Sequence, residues 1–193
     1  GKMGNKNKLQ RFAEMETFDN VIQPEWDEVY EKDYKLKGQW SKEWFKNSNP
    51  IVLELGCGKG EYTVALAKDN PDKNFIGVDI KGSRMWVGAK QAIDGNLDNV
   101  TFLRTRIEFI KYFFAKDEID EIWITFPDPQ LKDRREKKRL THPRFLSMYR
   151  EMLMANGFVN LKTDSQELHA YTKEVIEEQN LRVLHQSADI DHE

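Results

Sequence analysis

The chain lacks the features of secreted, metal-binding and membrane proteins. Cys57 is the single cysteine among 193 residues, so no internal disulfide can form. No apolar run approaches the roughly 18 residues of a membrane-spanning helix, and no secretory signal is visible. The four histidines are scattered and show no metal-site spacing. We therefore expect a cytoplasmic protein without a metal or a membrane partner. Cys57 lies in a glycine-rich turn with no adjacent base, which favours a small turn residue over a nucleophile.

An excess of positive charge is also missing. Thirty lysines and arginines face 33 acidic residues, which gives a net charge of −3. This balance excludes a uniformly basic nucleic-acid binder but allows a locally basic one. Hydrophobic residues make up 39% of the chain, enough for a sizeable core. Residues 1–46 are predicted to form a mobile basic arm to about residue 20, then an aromatic, helix-rich lead-in. Residues 47–193 are predicted to form one domain.

Strand and helix patterns alternate along that domain. The predicted strands are 51–55, 75–79, 100–103, 122–126, 158–162 and 181–184. The predicted helices are 61–68, 83–92 (capped by Ser83), 107–114, 143–155 (ended by Asn156-Gly157) and 165–179. This order predicts a doubly wound, mostly parallel α/β sheet with helices on both faces, a Rossmann-like fold. In such sheets ligands bind beyond the carboxyl ends of the strands, where the strand order reverses.

A glycine loop follows the first of these strands. Gly56, Gly58 and Gly60 allow a sharp turn close to a ligand, but their spacing is not the G-x-G-x-x-G of dinucleotide sites. Glu54 precedes the loop and suits a cationic ligand such as S-adenosylmethionine. Asp79, at the end of the next strand, lies where an acid accepts hydrogen bonds from ribose hydroxyls. A glycine turn without a ligand and a nicotinamide nucleotide site remain as alternatives.

A stiff loop follows the strand at 122–126. Pro127 and Pro129 restrict the backbone on both sides of Asp128 and remove two backbone donors. The functional interpretation is an acid facing the cofactor methyl group or the acceptor base. The alternative is a rigid connector that carries a solvated carboxylate.

Residues 132–139, here called the basic segment, concentrate positive charge beside that loop. Six of the eight are basic: Lys132, Arg134, Arg135, Lys137, Lys138 and Arg139. We interpret the segment as a phosphate-binding patch, because arginine can hold a phosphate with two hydrogen bonds. A solvated helix face is the alternative.

One further acid, Asp164, follows the strand at 158–162. Its carboxylate could accept hydrogen bonds from N1 and N2 of a guanine, or it could cap the helix that begins near Ser165. Both readings stay open at this point.

Together these motifs resemble those of bacterial tRNA (guanine-N7)-methyltransferases, over residues 52–178. The glycine loop alone matches class I methyltransferases; the Phe126-Pro127-Asp128-Pro129 motif, Lys132 and the basic stretch, and Thr163-Asp164 are more specific. The resemblance implies transfer of a methyl group from S-adenosylmethionine to N7 of a guanosine in the tRNA variable loop, with residues 47–193 as the methyltransferase domain. It implies cofactor contacts for Glu54, the glycine loop, Asp79 and Asp128, an active-site role for Asp128, substrate contacts for Lys132 and Asp164, and tRNA contacts for 134–139.

The chain departs from the family pattern at three places. Gln130 stands where the family usually has tryptophan. Arg106 stands where the family often has aspartate or asparagine near the adenine, so we expect a backbone contact to the cofactor there. The family continues with a further strand that this chain, ending at Glu193, does not show, so we expect an exposed edge strand and an incomplete guanine pocket.

Other functions remain open from sequence. A small-molecule methyltransferase would use the same cofactor without tRNA affinity. A non-catalytic RNA-binding module would bind tRNA without turnover. A nicotinamide oxidoreductase is disfavoured by the loop spacing and Glu54. The oligomeric state, monomer or homodimer, is not indicated.

Overall fold

The protein forms a single six-stranded sheet. A computed structural model describes residues 7–184. The strands are β1 (Val21–Ile22), β2 (Ile51–Leu55), β3 (Asn74–Asp79), β4 (Val100–Arg104), β5 (Ile119–Thr125) and β6 (Leu153–Lys162). Their spatial order is β1-β4-β3-β2-β5-β6, and every neighbouring pair is parallel. The sequence prediction of a doubly wound sheet is confirmed.

Helices connect the strands and cover both faces of the sheet. The α-helices are α1 (Lys8–Met15), α2 (Trp26–Val29), α3 (Glu61–Asp69), α4 (Gly82–Asp94), α5 (Pro143–Met152) and α6 (Gln166–Glu178). A π-helix spans Trp40–Phe45, and 3-10 helices span Ile107–Tyr112 and Asp133–Lys138. The longer helices give the fold its two outer layers.

The core lies on both faces of the central strands. All five residues of β2 are buried, which explains why four of them are apolar; the fifth is Glu54. Leu53 packs in one hydrophobic cluster with Tyr149 of α5, and Val52 packs in a second with Val64 of α3. Because successive strand residues point to opposite faces, β2 anchors both clusters.

The beginning of the chain is folded onto the sheet rather than extended from it. A capping box between Asn7 and Gln10 starts α1, whose Met15 is buried. Val21 of β1 then pairs with Phe102 of β4, and Thr101 donates its hydroxyl hydrogen to the carbonyl oxygen of Asn20 at 2.7 Å. The predicted mobile arm is therefore wrong for residues 8–20. Residues 1–6 lie outside the described part of the chain.

Two predicted helix boundaries are also wrong. The helix predicted from Ser83 begins at Gly82, and its N-cap residue is Lys81, so Ser83 is not the cap. The helix predicted to end at Asn156-Gly157 ends at Met152, and β6 begins at Leu153. The φ of +71° at Asn156 instead accompanies a register shift between β5 and β6.

The predicted strand at 181–184 is absent from the structure. These residues are mostly exposed and adopt no strand, and residues 185–193 lie outside the described range. The sheet still has six strands because β1, which the sequence did not predict, pairs with β4. Within residues 7–184, β6 pairs with β5 alone and forms one edge of the sheet.

Candidate active site

The strand order reverses between β2 and β5. From β2 the chain proceeds to β3 and β4 on one side, then returns to β5 on the other. The glycine loop follows β2 and the Asp128 loop follows β5, so the two loops flank the switch point at the carboxyl edge. This is where doubly wound sheets bind their ligands.

The glycine loop has a conformation that requires glycine. Gly56, Gly58 and Gly60 all have φ between +55° and +80°. The backbone N–H of Gly58 donates to Asp79 at 2.9 Å, so the loop is tied to the end of β3. A Cβ at Gly60 would lie 2.5 Å from the ring of Phe102, so a side chain there is sterically excluded. At Gly56 and Gly58 the loop therefore presents backbone without a side chain at the edge of the sheet.

Glu54 is a buried acid directly beneath this loop. Its carboxylate accepts hydrogen bonds from the hydroxyls of Thr63 in α3 and Thr125 in β5. No cationic side chain of the described residues forms an ion pair with it. Burial raises the pKa of Glu54, and the two hydroxyl donors oppose that rise. A buried carboxylate in these surroundings fits a cationic group of a ligand.

Asp79 organises the neighbouring turn. One carboxylate oxygen accepts from the Gly58 N–H, and the other accepts from the Lys81 N–H at 2.9 Å. Each carboxylate oxygen has a second lone pair that can accept from a ribose hydroxyl. Asp79 thus fixes the loop and remains partly exposed at the edge where the sequence predicts a cofactor contact.

The surroundings of Cys57 do not suit a nucleophilic thiol. Cys57 is buried, and its backbone N–H donates to the Val78 carbonyl at 3.0 Å. Burial, reinforced by the nearby acids Glu54 and Asp79, raises the pKa of the thiol well above its usual value. These surroundings support a turn residue, because the thiolate is the nucleophilic form.

The Asp128 loop is rigid and exposed. Asp128 is solvent-exposed, and its carboxylate accepts from the Gln130 N–H at 2.9 Å. The Phe126 N–H donates to the Lys162 carbonyl at 2.7 Å, which ties the start of the loop to the end of β6. Arg139 donates to the Gln130 carbonyl at 3.0 Å and holds the other end. The carboxylate of Asp128 is therefore fixed at the switch point and remains accessible.

The basic segment divides into anchors and free side chains. Glu136 accepts a hydrogen bond from the Tyr171 hydroxyl at 2.9 Å, and the Arg139 guanidinium lies 4.5 Å from the Tyr171 ring centroid. Burial and this carboxylate raise the pKa of Tyr171 to about 12. These contacts attach the 3-10 helix Asp133–Lys138 to α6. Arg139 thus supports the segment structurally.

The other basic side chains of the segment are exposed and have no hydrogen-bond or ion-pair partner among residues 7–184. They are those of Lys132, Arg134, Arg135, Lys137 and Lys138.

Leu140, the residue after the basic segment, lies beside the glycine loop. The side chain of Leu140 lies 3.9 Å from where a Cβ would stand on Gly56. The buried Tyr149 hydroxyl donates to the Leu140 carbonyl at 2.8 Å, and burial raises the pKa of Tyr149. This arrangement brings the basic segment and the cofactor loop to the same edge.

The helix after β6 is capped by Ser165, not by Asp164. The Ser165 hydroxyl accepts from the Leu168 N–H at 3.1 Å, and the Thr163 hydroxyl accepts from the Ser165 N–H at 3.0 Å. Asp164 is exposed and makes no hydrogen bond or ion pair within the described part of the chain. The helix-cap interpretation of Asp164 is therefore wrong, and its carboxylate is available at the carboxyl edge.

Within residues 7–184, Arg106 makes no hydrogen bond or ion pair with these groups through its side chain. It is the exposed N-cap residue of the 3-10 helix Ile107–Tyr112 and gives that helix no side-chain cap.

Neither Thr63 nor Thr125 was singled out from the sequence, although both contact Glu54. A threonine in a helix or at a strand end is too common a pattern to reveal such a contact.

The described residues also set limits on other kinds of site. They contain no group of three or more histidine, cysteine or acidic side chains arranged to hold a metal ion. None of the helices between residues 7 and 184 combines the length and hydrophobicity needed to cross a membrane.

Solved structures share this fold at low sequence identity. The aminoglycoside resistance methyltransferase NpmB1 superimposes with a TM-score of 0.53 at 18% identity, over 79% of this chain and 73% of that chain. An antibiotic-related methyltransferase gives a TM-score of 0.53 at 21% identity, over 75% of this chain and 76% of its own. These similarities establish a class I methyltransferase fold.

Sequence comparisons define the family. Residues 48–193 match the family model described as "Putative methyltransferase". The tRNA (guanine-N(7)-)-methyltransferase of Christiangramia forsetii is 56% identical over 97% of this chain and 84% of its own length. That of Bacteroides fragilis is 51% identical over 97% of this chain and 73% of its own. With its fold and carboxyl-edge loops, the chain belongs to the tRNA (guanine-N(7)-)-methyltransferase family.

Proposed function

We propose that the chain transfers a methyl group from S-adenosylmethionine to N7 of a guanosine in the variable loop of tRNA. One observation carries the proposal: the loop above Glu54 and the loop that holds Asp128 flank the same switch point of the sheet. Membership of the family supports the choice of a tRNA guanine as acceptor.

The residues around the glycine loop fit this cofactor. S-adenosylmethionine supplies, when bound, an electrophilic sulfonium methyl group. Glu54 provides negative charge beneath the loop, where the cofactor's cationic groups would otherwise lack a partner. Asp79 accepts hydrogen bonds from ribose hydroxyls, and Gly56 and Gly58 allow close approach of the backbone. Arg106 is proposed to contact the adenine end through its backbone.

The acceptor side needs positioning more than proton transfer. N7 of guanine bears a lone pair and no proton, so no general base is required. Asp128 is proposed to orient the guanine and to stabilise the positive charge that develops on the base. Asp164 can accept hydrogen bonds from guanine N1 and N2, and Lys132 can contact the substrate beside it. Within residues 7–184 the side chains of Lys132 and Asp164 are exposed and have no partner, and the exposed Asp128 carboxylate accepts only from the Gln130 N–H, which supports these roles.

The basic segment is proposed to hold the tRNA backbone. The side chains of Arg134, Arg135, Lys137 and Lys138 are exposed beside the Asp128 loop. Phosphate contacts of this kind position a nucleic acid without reading its sequence. We propose that Arg139 contributes by holding this surface in place. Because N7 lies in the deep major groove of an RNA helix, the target base must be unstacked to reach Asp128.

The proposal is tested by incubating the chain with unmodified tRNA and S-adenosylmethionine and digesting the RNA. Nucleoside mass spectrometry is expected to detect N7-methylguanosine. Methylation at another position would contradict the assignment of N7. Binding of cofactor without tRNA binding or product would favour a small-molecule methyltransferase, and tRNA binding without turnover would favour a non-catalytic module.

A further inference from the structure

Phe126 combines two features that a folded chain normally avoids. It is an aromatic residue with 62% of its surface exposed, and its φ is +47°. The seven other non-glycine residues with positive φ among residues 7–184 are all polar. A bulky apolar side chain in this region of backbone space is an outlier.

The surrounding loop enforces this conformation. The Phe126 N–H donates to the Lys162 carbonyl at 2.7 Å, and Pro127 follows at once. A residue before proline ordinarily adopts extended backbone, so the left-handed φ runs against the local sequence preference. Because the ring is exposed, its burial contributes little free energy to offset this backbone strain. Strained residues of this kind concentrate at functional sites.

The position of Phe126 places it at the centre of the proposed site. It stands between Thr125, which donates to Glu54 beneath the glycine loop, and Asp128, two residues further on. Its backbone bond to Lys162 also brings it close to the start of the segment that carries Asp164. The backbone of Phe126 thus joins the segments that carry the groups proposed for cofactor and guanine, and its ring is exposed there.

We propose that the target guanine stacks on the ring of Phe126, an inference that rests on the proposed function. Unstacked RNA bases are commonly held on aromatic side chains. Methylation at N7 also gives the base a positive charge, which the face of an aromatic ring attracts. The contact therefore strengthens as the methyl group is transferred, so it accelerates the chemical step more than it tightens binding.

Three substitutions at Phe126 separate stacking from folding. Phe126→Gly removes the ring and relieves the backbone, so we expect an unfolding temperature equal to or above that of the wild type. Phe126→Leu keeps the backbone and an apolar side chain but lacks the flat ring. Phe126→Tyr keeps the ring. Lys46→Gly is the matched control, because Lys46 is exposed with φ of +58° and is remote from this edge in the sequence.

The measurement is single-turnover methylation of tRNA, with cofactor affinity determined in parallel. We expect Phe126→Gly and Phe126→Leu to slow transfer roughly 5- to 150-fold, the effect of losing one base-stacking contact. The affinity of these two variants for the cofactor should equal that of the wild type. Phe126→Tyr and Lys46→Gly should retain activity within about threefold.

The outcomes distinguish this inference from the proposed function. Wild-type activity in a folded Phe126→Leu variant would overturn the stacking role alone. Loss of stability in Phe126→Gly with no slowing in Phe126→Leu would show that the ring supports the fold instead. A wild-type chain that forms no N7-methylguanosine would overturn the proposed function and the stacking inference with it.

Discussion

The hydroxyl of Thr125 donates a hydrogen bond to the carboxylate of Glu54, a residue 71 positions earlier in the chain. Thr125 ends β5 and Glu54 lies in β2, so this bond crosses the switch point of the sheet. Thr63 donates to the other carboxylate oxygen from α3. The buried Glu54 and its two threonine partners thus connect the elements that carry both active-site loops.

Thr125→Val should weaken binding of S-adenosylmethionine, most strongly at low pH. Loss of the hydroxyl removes one influence that lowers the pKa of Glu54, so the carboxyl group is protonated at higher pH. We expect affinity near pH 6 to fall about tenfold, the scale of one hydrogen bond to a charged group. Titration calorimetry between about pH 5.5 and 8 measures this effect. Thr125→Ser should behave like the wild type, and an unchanged pH profile in the valine variant would exclude this role.

Glu54→Gln should stabilise the cofactor-free protein while abolishing cofactor binding. Burial raises the pKa of Glu54, so its contribution to stability is fully present below the unfolded pKa and is lost as pH rises through the folded pKa. At pH 7.5 the variant avoids a buried charge, and we expect a gain of roughly 0.5–2 kcal/mol in unfolding free energy. Chemical denaturation at several pH values tests this, with the exposed Glu61→Gln as control. A gain that persists unchanged at pH 4 would contradict the assigned cause.

Arg134→Glu combined with Arg135→Glu should weaken tRNA binding without unfolding the protein. Both side chains are exposed and lack partners among residues 7–184, so their reversal removes phosphate contacts and leaves the anchors Glu136 and Arg139 intact. The slope of log affinity against log salt should fall in magnitude by about 1.5–2. Lys68→Glu, at the end of α3, is the control. Equal losses in both variants would indicate a non-specific charge effect.

Asp164 and Ser165 are adjacent residues with opposite expected effects. Asp164→Asn should reduce methylation with little change in stability, because the carboxylate has no partner within the described residues. Ser165→Ala should cost about 1 kcal/mol of stability, because it removes the cap of α6. Thermal unfolding and steady-state kinetics on both variants separate the two roles. Destabilisation by Asp164→Asn would restore the helix-cap interpretation that the structure rejects.

The fold was largely predictable because buried parallel strands and amphipathic helices leave strong local patterns. The run at Ile51–Leu55 is an example, since burial on both faces makes every residue apolar or paired. The strand Val21–Ile22 was not predictable, because two residues gain strand geometry only by pairing with β4. Asn156-Gly157 marked an irregular backbone correctly, but the irregularity lies within β6 and not at a helix end.

The sequence predicted where the residues of the candidate site lie along the chain, but not which side chains contact each other. Glycine spacing and strand ends located the loops at Gly56 and Asp128, since these features are local. The hydrogen bonds of Thr125 to Glu54 and of Tyr171 to Glu136 join distant segments, and no spacing rule encodes them. For the same reason the division of the basic segment, with Arg139 as an anchor, required the structure.

The most direct test of the account is transfer of an isotope-labelled methyl group from S-adenosylmethionine to unmodified tRNA, by the wild type and by Asp128→Ala side by side. Asp128 is exposed and bonds only within its own loop, so the variant should fold normally. We predict labelled N7-methylguanosine with the wild type and a rate about 100- to 1,000-fold lower with the variant. Equal rates of label incorporation by the two proteins would contradict the placement of the active site at this edge of the sheet.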